Sequence, residues 1–334
     1  MRNKRLQGQI TAGRWTLPAV ILICTVCWVL TSFILPELVS FHEDGSALWQ
    51  TTRSLLLPQW AERIASCFIY ALIGYFLIEI NNQFGIIRMR ASVQTSIYFL
   101  IVTICPEMHL LHAGDIASIG LLISIYFLFK SYQQSRSSSY LFYSFFFIGA
   151  GSIIFPQVTF LSVLWLLEAY RFQSLNLRSF FGALLGWTMP YWLLFGHAVF
   201  YHQMELFYHP FVELTTFEPL FNFQVLSLWQ LATLGYLLVL FIVSAGHCVS
   251  AGFEDKIRTR AYLQFLIDLT FFLFLMIALQ PSHCNNLLPL LMISCSILTG
   301  HFFALTHSKT SNVFFIIVMV SLILLFGFNI WTLL

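Results

Sequence analysis

Eleven apolar runs, separated by short polar gaps, make up most of this chain of 334 residues. They are Trp15–Leu35, Arg63–Asn81, Ala91–Cys105, Ala113–Lys130, Tyr140–Phe155, Gln157–Tyr170, Ser179–Ala198, Val225–Ala245, Tyr262–Gln280, Asn285–Ala304 and Ser311–Leu334. A helix rising 1.5 Å per residue needs about 20 apolar residues to cross a hydrocarbon core of about 30 Å. The pattern therefore predicts an all-α, polytopic integral membrane helix bundle with about eleven transmembrane helices. Tyr140–Tyr170 reads as two short spans hinged at Gly149–Gly151 and Pro156. Each is near 15 residues, about 23 Å long, so the pair is expected inside the bundle or beside a cavity, where neighbours cover the backbone. No long polar linker interrupts the runs. One membrane domain, 1–334, follows, with no internal repeat and no cleaved leader expected.

Composition agrees: 59% of residues are hydrophobic, 9% are charged and mean hydropathy is +0.82. A soluble domain carries about 25% charged residues. The net charge of +2 matters less than where the charges fall. Fourteen of the sixteen Lys and Arg residues lie in every second gap, and only Arg53 and Arg63 fall in the others. The positive-inside rule then puts the N-terminus inside and the C-terminus outside. Reading Tyr140–Tyr170 as one span would leave eight cations on each side, which is why two are preferred. No basic stripe supports nucleic-acid binding. Of the seven cysteines, Cys24 and Cys27 form a CxxC inside the first span, where they read as small packing residues.

The gaps that the cations avoid hold nine of the fourteen acidic residues and seven of the ten histidines. Acidic residues are little constrained by topology, so solvated loops are one reading and chemistry the other. Three outer segments stand out. Pro36–Glu62 contains Glu43 and Asp44, and Ser46–Leu57 has the pattern of a helix lying in the interface, with Arg53 near the headgroups. The turn Pro106–Asp115 contains Glu107, His109, His112 and Asp115. The last three are spaced i, i+3, i+6 and share one face if the turn is helical, which suits a divalent metal or a proton relay. The aromatic stretch Tyr201–Phe223 reads as an interfacial belt.

This layout resembles the membrane-embedded C-type glycosyltransferases, which take sugars from polyprenyl-phosphate donors. The likeness covers about residues 15–200 and is one of pattern; residues 201–334 would add further transmembrane helices. Glu43 and Asp44 match the family's acidic position in the first outer loop, and Glu107 and Asp115 its second, between spans three and four. Gly114-Asp115-Ile116 and Pro190-Tyr191-Trp192 also look like that family's core. The sequence departs from it in having no clear Asp-x-Asp, no lysine in the fifth-to-sixth turn and no soluble C-terminal domain. The resemblance implies that Asp44 or Glu43 acts as general base on an acceptor hydroxyl. It implies that Arg53 or Arg63 holds the donor phosphate, and that Asp115, with His109, His112 and Glu107, orients the acceptor or binds a metal. The polyprenyl tail would lie in a groove open to lipid, at the outer face of a bacterial inner membrane.

Two other classes stay open. A non-catalytic subunit of an envelope assembly needs only packing surfaces. A transporter needs charged groups near the midplane, yet Glu79, Glu168 and Asp268 lie near inner ends and no buried ion pair is legible. Glu168 and Asp268 are expected to anchor helices. Asp44 and Asp115 are expected to converge in one cavity and to face water, so that Asp115→Asn would spare folding.

Overall fold

The computed structural model describes residues 6–35, 49–50, 59–87, 92–306 and 308–334. Among them the chain is all-α. Helices α1 (Leu6–Thr11), α2 (Thr16–Ile34), α3 (Gln59–Phe84), α4 (Ser92–Thr103) and α5 (Ala113–Lys130) are followed by α6 (Ser138–Ile154), α7 (Leu161–Arg171) and α8 (Leu177–Phe200). Then come α9 (Met204–Thr215), α10 (Leu228–Ser250), α11 (Ile257–Leu279), α12 (Cys284–Leu305) and α13 (Lys309–Leu333). Every apolar run of the sequence is helical in its interior. Seven helices, α2, α3, α5, α10, α11, α12 and α13, are long and apolar enough to cross a membrane; α4 and α6 are apolar but shorter.

Burial sorts these helices by depth in the bundle. Helix α12 is at the centre, with Asn286 to Ala304 all buried, as expected of a helix that is apolar on every side. Helix α13 buries only a narrow stripe containing Ser311, Phe315, Val318, Leu322 and Asn329. Its other faces, including Ile323 and Leu324, are exposed, as are Leu22 and Phe33 on α2. Such continuous apolar exposure on long helices marks a lipid-facing surface of a polytopic membrane protein.

The hinge in Tyr140–Tyr170 is a real reversal. Helix α6 ends at Ile154, Pro156 opens a 3-10 turn, and α7 runs back. Proline supplies no amide hydrogen and disfavours helix in the residue before it. Ser131 and Ser137, which follow and precede α5 and α6, both bond to Ser174, which follows α7. The two connections thus meet at one end of the bundle. Small residues bring α6 and α8 close. A Cβ on Gly186 would collide with the Phe142 carbonyl, and one on Gly182 would come within 2.9 Å of the Ser138 carbonyl. This is how small residues spaced i, i+4 let membrane helices approach.

Hydrogen bonds group the helix ends into two sets. At one end Gln7 bonds to Phe303, Thr306 and Ser311, the Tyr262 hydroxyl donates to the Phe129 carbonyl, and Arg171 bridges Glu168 and Asp268. Most cations of the alternate gaps belong to this end. At the other end lie the turns before α5, α10 and α12 and the C-terminal part of α13, where Asn329 donates to the Ile104 carbonyl. The turns that hold Glu107, His109, His112 and His283 belong to that second end.

Glu168 and Asp268 do anchor helices, through Arg171, which joins α7 to α11. Two close acid–base contacts lie at this end. His301 Nε2 lies 3.2 Å from Asp255 Oδ2, with both side chains buried, and the Glu168 carboxylate is buried 2.7 Å from Arg171 Nη1. His301 and Asp255 lie on different elements, so spacing could not reveal their contact, whereas Glu168 and Arg171 share one helix.

Candidate functional site

The second end is built around the turn between α4 and α5. Residues Pro106–His109 form a single 3-10 turn; Leu110 and His112 are extended, and α5 starts at Ala113. The three-residue face expected of His109, His112 and Asp115 therefore does not exist: extended backbone separates the first residue from the others. His109 turns toward α2, stacks on Trp28 with ring centroids 4.0 Å apart, and places Nδ1 3.0 Å from Thr31 Oγ1. Burial, with the Arg63 guanidinium nearby, pushes its pKa down, so the imidazole is neutral. His112 places Nδ1 3.0 Å from the Leu110 carbonyl. Among the described residues no group of three His, Cys, Asp or Glu side chains is arranged to hold a metal ion.

Asp115 does not face water; it is fully buried. Its Oδ1 accepts the Tyr70 hydroxyl at 2.6 Å and its Oδ2 the His112 backbone N–H at 2.8 Å. It sits at the third position of α5 and reaches back to the residue capping it, the reciprocal arrangement of a capping box. The reason is desolvation: a carboxylate excluded from water needs both oxygens engaged. Next to it, the Gly114 N–H donates to Asn286 Oδ1 of α12 at 3.1 Å. A Cβ on Gly114 would strike the Asn286 backbone.

Glu107 lies on the α10 side, where its Oε1 accepts the Trp229 indole N–H at 3.1 Å. Burial raises its pKa to about 7, and the indole hydrogen bond opposes the rise. Arg63, on α3, donates through Nη2 to the Leu35 carbonyl at the end of α2. Glu43, Asp44 and Arg53 lie outside the described residues.

Below this cluster a groove of about 270 Å³ separates α2, α3 and α4. Ile21 and Thr25 line one wall, Cys67, Ala71 and Tyr75 another, and Phe99 the third. Ile21, Thr25, Ala71 and Tyr75 are exposed, so the groove opens sideways on the lipid-facing surface. Trp28 and Tyr70 close its upper part. Trp28 stacks on His109, and Tyr70 donates to Asp115. Arg63 is one helical turn above Cys67 on the same face of α3.

Sequence reasoning did not single out Trp28, Thr31, Tyr70, Trp229 or Asn286. A signal existed for Tyr70 and Asn286: a polar group inside an apolar span faces the bundle and has a partner there. No family model matches this chain, and no curated protein or solved structure matches it significantly.

Proposed function

We propose that this polytopic membrane protein takes a polyprenyl-phosphate-linked sugar at its outer face, with the lipid chain in the groove between α2, α3 and α4. One observation supports this most directly. A lateral, apolar groove ends beneath a polar cluster that belongs to the acid- and histidine-rich end, with an arginine above it on α3. Arginine suits a phosphate by geometry and permanent charge. In this reading the chain crosses the inner membrane of a bacterium eleven times, N-terminus inside and C-terminus outside. The protein acts as a glycosyltransferase of the C type. Glu43 or Asp44 removes the proton from the acceptor hydroxyl as it attacks the anomeric carbon. Arg63 and Arg53 hold the leaving phosphate, and His109, His112 and Glu107 border the acceptor. Asp115 shapes the turn and does not carry the reaction.

The full engagement of both Asp115 oxygens favours a second reading, a non-catalytic membrane subunit with the same groove. One experiment separates the two. The full-length protein in nanodiscs is exposed to a photoreactive polyprenyl phosphate and, separately, assayed for sugar transfer from a panel of polyprenyl-phosphate sugars. Crosslinks to 17–28, 67–78 and 95–103, lost in Ala71→Trp, are expected, together with transfer abolished by Asp44→Asn in a normally folded protein. Crosslinking without any transfer leaves the subunit reading. Crosslinking indifferent to Ala71→Trp overturns the groove assignment.

A further inference from the structure

At the cation-rich end, three helix ends bring aromatic rings together. Phe84 closes α3, Tyr126 lies one turn before the end of α5, and Tyr262 is in the second turn of α11. The Phe84 ring centroid is 5.5 Å from that of Tyr126 and 5.6 Å from that of Tyr262. Two cations rest on this floor. Lys130 Nζ is 4.5 Å from the Tyr126 centroid. Arg258 Cζ is 5.7 Å from the Phe84 centroid and 5.3 Å from that of Tyr262. Arg258 also donates through Nε to the Tyr262 hydroxyl at 2.6 Å, and that hydroxyl donates to the Phe129 carbonyl at 3.0 Å. The guanidinium is thereby held in one orientation by its Nε, and its two Nη groups remain available.

Fixing a long cationic side chain costs rotamer freedom, and a carboxylate is the usual compensation. None compensates here: among the described residues neither Lys130 nor Arg258 makes an ion pair, and Asp255, close in sequence, lies 3.2 Å from His301 instead. Aromatic faces attract cations without cancelling their charge. The positive-inside rule accounts for cations at this end, but not for two of them held over one group of rings. A pinned guanidinium with a free fork matches two oxygens of a phosphate. The uncompensated positive charge favours a ligand with net negative charge. A zwitterionic head would bring an ammonium next to Lys130, and the rings that could receive it already carry cations. The surroundings point to a lipid. Helices α3, α5 and α11 are long and apolar enough to cross a membrane, so their ends lie where headgroups sit. Phe253 and Ile257, next to Arg258 along the chain, are exposed apolar side chains.

We propose that this cluster binds the headgroup of an anionic phospholipid, with the phosphate in the fork of Arg258 and Lys130 as the second cation. The site is independent of the groove between α2, α3 and α4 and does not rest on the transferase reading.

The test titrates the full-length protein in detergent micelles with single lipids and reads binding by native mass spectrometry. The probes are dioleoyl phosphatidylglycerol, dioleoyl phosphatidylcholine and the deacylated head, glycerophosphoglycerol. Phosphatidylglycerol is expected to fill one saturable site, about tenfold more tightly than either of the others. Arg258→Gln and Lys130→Gln should each weaken it about fivefold, and either variant serves if the other misfolds. Lys309→Gln removes a cation of the same end that rests on no ring among the described residues, and should leave binding unchanged. Full affinity in folded Arg258→Gln or Lys130→Gln protein overturns the proposal. An equal loss in Lys309→Gln means diffuse surface charge only and overturns it too. Equal binding of phosphatidylcholine overturns the anionic-head assignment, and equal binding of glycerophosphoglycerol overturns the choice of a lipid.

Discussion

Asp115 illustrates what burial does to one carboxylate. Its two oxygens satisfy the Tyr70 hydroxyl and the His112 N–H. Asp115→Ala should therefore destabilise the protein by about 1–3 kcal/mol for each donor left unpaired, read as a lowered Tm in detergent. Tyr70→Phe, which removes one donor and its partner bond, should cost about 1 kcal/mol. An unchanged Tm for Asp115→Ala would show that the carboxylate is not holding the turn. Gly114→Ala should be harmful too. The added methyl meets the Asn286 backbone, which cannot rotate away, and overpacking of that kind costs about 1–3 kcal/mol.

Glu107 gives a pH prediction at the same scale. Its pKa rises from an ordinary 4.5 to about 7 on folding. Between those values the folded state holds a proton that the unfolded state has lost. Stability contributed by the neutral acid is complete below 4.5 and is lost as pH rises through about 7. The Tm of the wild type should fall relative to Glu107→Gln over that window. Parallel pH profiles for the two proteins would refute it.

At the scale of elements, the pair α6 and α7 depends on two devices. Pro156 ends the first helix, and small residues let α6 and α8 pack backbone to backbone. Gly186→Leu should separate α6 from α8, because the Phe142 carbonyl occupies the place of its Cβ; loss of folded protein on gel filtration is the expected outcome. The joined turns around Ser131, Ser137 and Ser174 make a further prediction. Reporter fusions at Gln133 and Gln173 should report the same side, and the cation rule makes that side cytoplasmic. Opposite sides would mean that Tyr140–Tyr170 crosses only once.

For the whole molecule, orientation rests on charge and the bundle on packing around α12. The end that holds Gln7 also holds Arg171 and Lys309, while the C-terminal part of α13 reaches the opposite end beside Ile104. Fusions at Ser250 should thus read cytoplasmic, and those at Leu214 and Leu334 external. A cytoplasmic Leu334 would break the parity of the crossings.

Periodicity, length and charge were enough to determine the all-α membrane architecture, the helical runs, the reversal at Pro156 and the sorting of charge between two ends. These follow from local rules: an unpaired backbone cannot lie in lipid, proline breaks a helix, and cations resist translocation. The sequence also drew attention to the turn containing Glu107, His109, His112 and Asp115, but it could not say how they face. Tertiary structure decided that. Helix stops at the 3-10 turn, His109 swings onto Trp28, and Asp115 is closed off by Tyr70 and the backbone of His112. Which polar side chains find partners depends on contacts across 39 residues or more, as between Thr31 and His109, Tyr70 and Asp115, Ser152 and Tyr191, or Glu107 and Trp229. Desolvation enforces such pairings inside a bundle, and it acts on positions in space, which no spacing along the chain records.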